Sequence, residues 1–121
     1  MPRACDFARR DIPLCSSTEG IGDVRGRMKA AGWDGVVVVV NDAGVVLGLL
    51  GGRALESMSD TPVEEAMDPA PVTFRPDTLA HELVHHLERA GVHTALITDA
   101  DGVLIGVFDR DKARVALQAH D

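Results

Sequence analysis

The stretch Asn41-Asp42-Ala43-Gly44-Val45-Val46-Leu47-Gly48-Leu49-Leu50 returns later in the chain as Asp99-Ala100-Asp101-Gly102-Val103-Leu104-Ile105-Gly106-Val107-Phe108. Glycines 44 and 48 recur at 102 and 106, an offset of 58 residues in both cases, and the apolar pattern between them stays in register. This is an internal repeat covering almost half of the 121 residues per copy. Each copy is too small to bury a core alone, so two copies on a short connector are expected to share one.

Outward from the second copy, Val72-Thr73-Phe74 reads as a short strand closed by Arg75-Pro76, since proline removes a ladder donor and biases the preceding residue away from helix. Asp77 or Thr78 is placed to cap a helix in which Leu79, Leu83, Leu87 and Ala90 share a face and Gly91 is the stop. Thr94 to Thr98 and Val103 to Phe108 read as strands joined through an Asp101-Gly102 hairpin turn, and Arg110 to Gln118 as a closing helix. The first copy repeats that order. Pro13-Leu14-Cys15 opens it, Ile21, Val24, Met28 and Ala31 form a helical stripe ended by Gly32, and Val36 to Val40 read as a strand buried on both faces. Asn41 to Gly44 turn the chain, Val45 to Leu50 return it, and a brief helix covers Arg53 to Ser57. In the connector, Thr61-Pro62-Val63-Glu64 fits an N-cap, a first-turn proline and a capping-box glutamate for a helical turn over Val63 to Met67. Its apolar residues, Val63, Ala66 and Met67, are expected to dock on the second copy.

Composition narrows the partners. A hydrophobic content of 45% with only 3% aromatic residues predicts an almost wholly aliphatic core. A net charge of −7 and the lack of any Lys/Arg cluster give nucleic-acid phosphates nothing to hold, so nucleic acid is not expected as a partner. No apolar run approaches the roughly 18 residues of a membrane span, and Met1-Pro2-Arg3-Ala4-Cys5-Asp6 lacks the apolar stretch of a signal peptide. A cytoplasmic protein with no membrane partner is the expectation. Cys5 and Cys15 lack metal-like spacing and are read as free thiols.

The run Val63-Glu64-Glu65-Ala66-Met67-Asp68-Pro69-Ala70-Pro71-Val72-Thr73, followed by Pro76-Asp77-Thr78-Leu79, the Gly91-ended helix and Asp99 to Val107, resembles a cystathionine-β-synthase (CBS) domain with its lead-in. With residues 11–57 as the partner copy, nearly the whole chain resembles a tandem CBS pair, or Bateman module. The resemblance implies an α/β (α+β) fold of two β-α-β-β-α repeats packed about a pseudo-twofold axis. We divide the chain into repeat 1 with its lead-in over 1–60 and repeat 2 with its helical connector over 61–121. It also implies a homodimeric disc, a regulatory role without catalytic residues, and clefts for an adenosine-containing or other anionic small ligand: AMP, ADP, ATP or S-adenosylmethionine. The alternative is a ligand-independent dimerisation or scaffold module. The regulated partner protein is not named by the sequence.

The resemblance breaks where ribose is held. Ligand-binding members follow Gly-apolar-apolar with Thr or Ser and, three residues on, an Asp for the ribose hydroxyls; here those positions are Asp109 and Lys112 in copy two, Gly51 and Ala54 in copy one. Neither lysine nor alanine accepts a hydroxyl hydrogen bond. Asp111 sits one residue early, turned by about 100° on a helix. The proline common in the second strand is replaced by Val38 and Leu96.

The candidate ligand-binding residues form two sets. In copy two they are Ala70, Pro71 and Val72 at the strand entry, His93, Thr94 and Ala95 at the second strand, and Asp109 to Lys112 at the helix start. There Lys112 favours an anion while Asp109 and Asp111 oppose it. In copy one they are Ile12, Pro13 and Leu14, then Trp33, Asp34 and Gly35, then Gly51, Gly52 and Arg53. The two glycines leave backbone amides approachable, Arg53 offers a planar donor fork, and Trp33 either stacks on a base or packs as a lid on the core edge or the dimer face. His81-Glu82-Leu83-Val84-His85 matches the H-E-x-x-H pattern of zinc peptidases. Helical phase sets both histidines opposite the apolar arc, so they are expected to face solvent or a partner, and no metal site or activated nucleophile is assigned. Adventitious zinc or nickel on His81 and His85, with or without His86, is the most that pattern predicts.

Overall fold

The computed structural model describes residues 1–33, 35–69 and 71–119. Two compact units emerge, one of Ile12–Pro71 and one that joins Met1–Asp11 to Val72–Asp121. In the first, β1 (Leu14–Cys15), α1 (Ile21–Ala31), β2 (Val37–Val40), β3 (Val46–Leu50) and α2 (Gly52–Leu55) follow the expected order, and α3 (Val63–Ala66) and β4 (Asp68–Pro69) complete it. Its sheet runs β1-β2-β3-β4, with β1 parallel to β2 and the remaining pairs antiparallel. The second unit has a short 3-10 helix at Ala4–Phe7, then β5 (Thr73–Phe74), α4 (Ala80–Ala90), β6 (Thr94–Thr98), β7 (Leu104–Asp109) and α5 (Arg110–Ala119). Its sheet runs β5-β6-β7, parallel and then antiparallel. Among the described residues no helix is long and apolar enough to cross a membrane.

The repeated turn is built alike in both units. Asn41 Oδ1 accepts from the amides of Ala43 and Val45 at 2.9 and 3.0 Å, and Asp99 Oδ1 accepts from Asp101 and Val103 at the same distances. Gly44 and Gly102 close these turns at φ +82° and +84°, a left-handed conformation that side chains with a Cβ resist. Gly48 and Gly106 recur for a different reason. A Cβ on Gly106 would lie 2.8 Å from the Arg9 carbonyl oxygen and 3.0 Å from Ala8 Cβ, and one on Gly48 would meet Met67 Sδ and lie 2.9 Å from the Asp68 carbonyl oxygen. Each glycine admits a crossing segment: Arg9 exchanges two backbone hydrogen bonds with Val107, of 2.8 and 2.9 Å, and β4 pairs with β3.

Each unit has a core cluster of its own. Ile21, Val24, Met28, Val37, Val39, Leu50 and Val63 form the first, and Ala80, Leu83, Leu87, Ile97 and Phe108 with Ala4 anchor the second. Val37, Val38 and Val39 are fully buried, as a central strand demands. The apolar stripes run short, since Ala31 and Ala90 at their ends are exposed. The connector corrects the expected docking. Val63 is buried among first-unit residues, and Ala66 and Met67 pack on the same cluster. Thr61 is not a cap, because Pro62 holds that position and the amides of Val63 and Glu64 donate to the carbonyls of Glu19 and Ser17, at 2.8 and 3.1 Å. Nor do Asp77 or Thr78 cap α4 with a side chain. Leu79 is its N-cap, and the Ala80 amide donates to the Pro2 carbonyl at 3.0 Å. In both places main-chain oxygens from afar satisfy the orphan amides that a cap would otherwise take.

Candidate functional site

The candidate residues collect where strands enter and leave each sheet. In the first unit the register Leu14↔Val38 and Val37↔Leu50 carries Ile12, Gly35 and Gly51 to one sheet end, with Pro13 and Leu14 following along β1. Ile12 is buried and Leu14 exposed. Trp33 folds back on its own loop: its indole N–H donates to the Val36 carbonyl at 3.0 Å, and a Cβ on Gly35 would stand 2.9 Å from its ring. The ring also packs against the first core cluster. The ring therefore rests at the edge of that core. Asp34 lies outside the described residues, as does Ala70.

Beyond β3 the backbone is open. A Cβ added to Gly51 or Gly52 would meet nothing within 4 Å, and no side chain caps α2, whose N-cap is Gly51 itself. Arg53 is exposed and, among the described residues, has neither a hydrogen-bond nor an ion-pair partner. Its neighbours differ in this. Arg25 donates through Nε to the Leu55 carbonyl at 2.8 Å and through Nη2 to that of Ser57, which fixes the far end of α2. Arg27 donates to Glu19 Oε1 at 2.6 Å and to the Leu14 carbonyl at 2.9 Å, holding the Glu19 carboxyl below its ordinary range. Arg53 is therefore a guanidinium with no structural duty beside an unobstructed glycine pair.

The second unit is built oppositely. Thr94 pairs with Asp109 and Ala95 with Phe108 in the ladder, and the Arg110 amide donates to the His93 carbonyl at 2.8 Å, so His93, Thr94 and the start of α5 do come together. The parallel register Thr73↔Leu96 sets Val72, 74% exposed, level with Ala95. Pro71 falls in the other unit. Asp109 Oδ1 accepts the Lys112 amide at 3.0 Å and thereby takes a donor that an anion at the helix start would use. Asp111 is held too, by Arg110 Nε and Arg114 Nη2, both at 3.1 Å, and its Oδ2 lies 3.3 Å from His93 Nδ1. The hydrogen bond from Arg110 foremost lowers its carboxyl pKa. The same ring nitrogen lies 2.8 Å from Arg110 Nη2. Asp111 is thus committed to its own helix and neighbours. Sequence reading included Arg110 only as part of the run Asp109 to Lys112 and gave it no role of its own; that role shows only once β6 and α5 meet.

His81 and His85 lie exposed on α4, as the helical phase predicted, while His86 sets its ring edge-on to Phe74 at 5.4 Å between centroids. Cys5 and Cys15 are free, and burial pushes the Cys15 thiol up to about 11.

The CBS domain model matches residues 4–55 and again 63–118. No curated relative matches in sequence. Among solved structures, the cytosolic domain of the Mg2+ channel MgtE in complex with ATP superposes at TM-score 0.87 with 21% identity, over 96% of this chain and 48% of that one. The chain thus spans about half of that domain. CBSX2 in complex with AMP superposes at 0.85 with 20% identity, over 100% of both chains. The CBS domain pair of protein MJ0100, in complex with 5-methylthioadenosine and S-adenosyl-L-methionine, superposes at 0.81 with 10% identity, over 100% of this chain and 99% of that one.

Proposed function

This chain belongs to the CBS domain family, as a tandem pair, and from that premise we propose that it is a regulatory sensor of an adenosine-containing or other anionic small ligand rather than a catalyst. The observation that carries the reading is the contrast at the two helix starts. In copy one, Gly51 and Gly52 leave the backbone open beside Arg53, which has no partner among the described residues. In copy two, Asp109 already occupies an amide. An anion gains most where donors are unspent and no carboxylate opposes it. Similar folds that hold AMP, ATP or S-adenosyl-L-methionine support an adenosyl ligand here. Pro71, Val72, His93, Thr94, Ala95, Asp109 and Lys112 make the weaker set on this reading. A ligand that binds one arrangement of the protein better than another shifts the population and so informs a partner. The free cysteines suit the reducing cytoplasm in which we place it.

Thermal unfolding with AMP, ADP, ATP and S-adenosylmethionine tests the reading, since a ligand at 100 times its dissociation constant stabilises by about 2.7 kcal/mol. Calorimetry on Arg53→Ala should then show binding weakened by roughly ten- to a hundredfold, because a charge-assisted contact contributes about 1.5–3 kcal/mol. Lys112→Ala should change it far less. The reverse ranking moves the site to copy two.

The second reading, a dimerisation scaffold that needs no ligand, is favoured by Ala54 and Lys112 where a ribose carboxylate is expected, and by Val115, 64% exposed on α5. Silence of every nucleotide in the thermal assay would select it. Both readings include a homodimer, because Val115 and the partly buried Leu117 leave apolar surface on α5. Sedimentation at tens of micromolar should show a dimer, and a lone monomer there would remove that part of the proposal.

A further inference from the structure

We propose that His81 and His85 chelate one divalent transition cation of borderline softness, zinc, nickel or copper, on the outer face of α4. The helix buries Ala80, Leu83, Val84 and Leu87, which turns residues 81 and 85 outward, one turn apart. At that spacing the two Cβ atoms stand about 5–6 Å apart on one face, within reach of a single ion. Both rings are exposed and, among the described residues, neither has a hydrogen-bond or ion-pair partner, so their nitrogens are unspent. His86 is not part of the site, because its ring is turned onto Phe74.

The repeat itself does not need these histidines. At the 58-residue offset the first copy carries Asp23 and Arg27, and Arg27 is engaged with Glu19 and the Leu14 carbonyl. The nearby positive charge is compensated: Arg114 hydrogen-bonds Asp111 at 3.1 Å and approaches Glu88 at 3.8 Å. Two imidazoles select nitrogen-seeking metals and give magnesium or calcium none of the oxygens those ions require. No group of three His, Cys, Asp or Glu among the described residues could hold a metal, so water fills the remaining positions and the ion exchanges freely.

Titration of the whole chain with nickel chloride in a calorimeter should show one ion bound per chain, unchanged by millimolar magnesium. His81→Ala and His85→Ala should each weaken it about tenfold or more, since a direct ligand matters no less than the outer-shell partners whose loss costs about that much. His86→Ala should stay within about twofold of the parent. All three side chains are exposed, and circular dichroism of each variant should match the parent. Absence of nickel binding in the parent, binding that survives the His81→Ala, His85→Ala double variant, or an equal loss in His86→Ala overturns the proposal.

Discussion

Replacing Gly106 with valine should lower the unfolding free energy by about 3 kcal/mol, at the upper end of what overpacking a well-filled site does. The added Cβ would stand 2.8 Å from the Arg9 carbonyl oxygen, and that oxygen cannot swing away as a side-chain tip would, because it accepts the Val107 amide at 2.9 Å. Relief requires the lead segment to lift and those bonds to break. Gly48→Val should do similar harm in the other unit, where the Asp68 carbonyl oxygen is 2.9 Å from the new atom. Gly26→Ala is the control. It lies inside α1 with nothing within 4 Å of an added Cβ, so it should stabilise by about 0.5–1 kcal/mol. Urea melts of the three variants decide the matter, and a Gly106→Val protein as stable as the parent would show that the segment does not press on β7.

Deleting residues 1–9 should be costlier still, about 4 kcal/mol or more. The deletion removes Ala4, fully buried in the second core, and Phe7, whose ring meets Phe108 edge-on at 6.4 Å. It also strips the hydrogen bonds from Ala4 to Thr78, Cys5 to Pro76, Ala80 to Pro2 and the Arg9–Val107 pair. Loss of a large aromatic contact accounts for about 3–5 kcal/mol and each main-chain bond for about 1 more, offset by the entropy that the freed segment regains. Hydrogen exchange should therefore quicken in Leu104–Asp109 and at the start of Ala80–Ala90, while Val37–Val40 stay protected. Unchanged protection in Leu104–Asp109 would sink this account.

The candidate site was legible only in part. Gly51, Gly52 and Arg53 could be singled out because glycine and arginine declare open backbone and a donor fork by residue type alone. That Arg53 has no partner among the described residues while Arg25, Arg27, Arg110 and Arg114 all have one could not be read, since every partner depends on folded geometry. Nor could the bond from the Trp33 N–H to the Val36 carbonyl be read, for the same reason.

The sequence by itself determined what local physics controls. The valine run made a buried strand, Gly32 and Gly91 ended helices at φ +66° and +68°, Asn41 and Asp99 folded their own turns, and helical phase set His81 and His85 outward. The tertiary structure alone decided that residues 1–11 complete the unit of the second repeat and that residues 61–71 complete that of the first. It alone decided that Gly48 and Gly106 recur to admit those segments, and that main-chain oxygens replace the expected caps. The reason is range: a turn or a helix stop is settled among residues a few positions apart, whereas Arg9 finds Val107 only after the chain between them has folded.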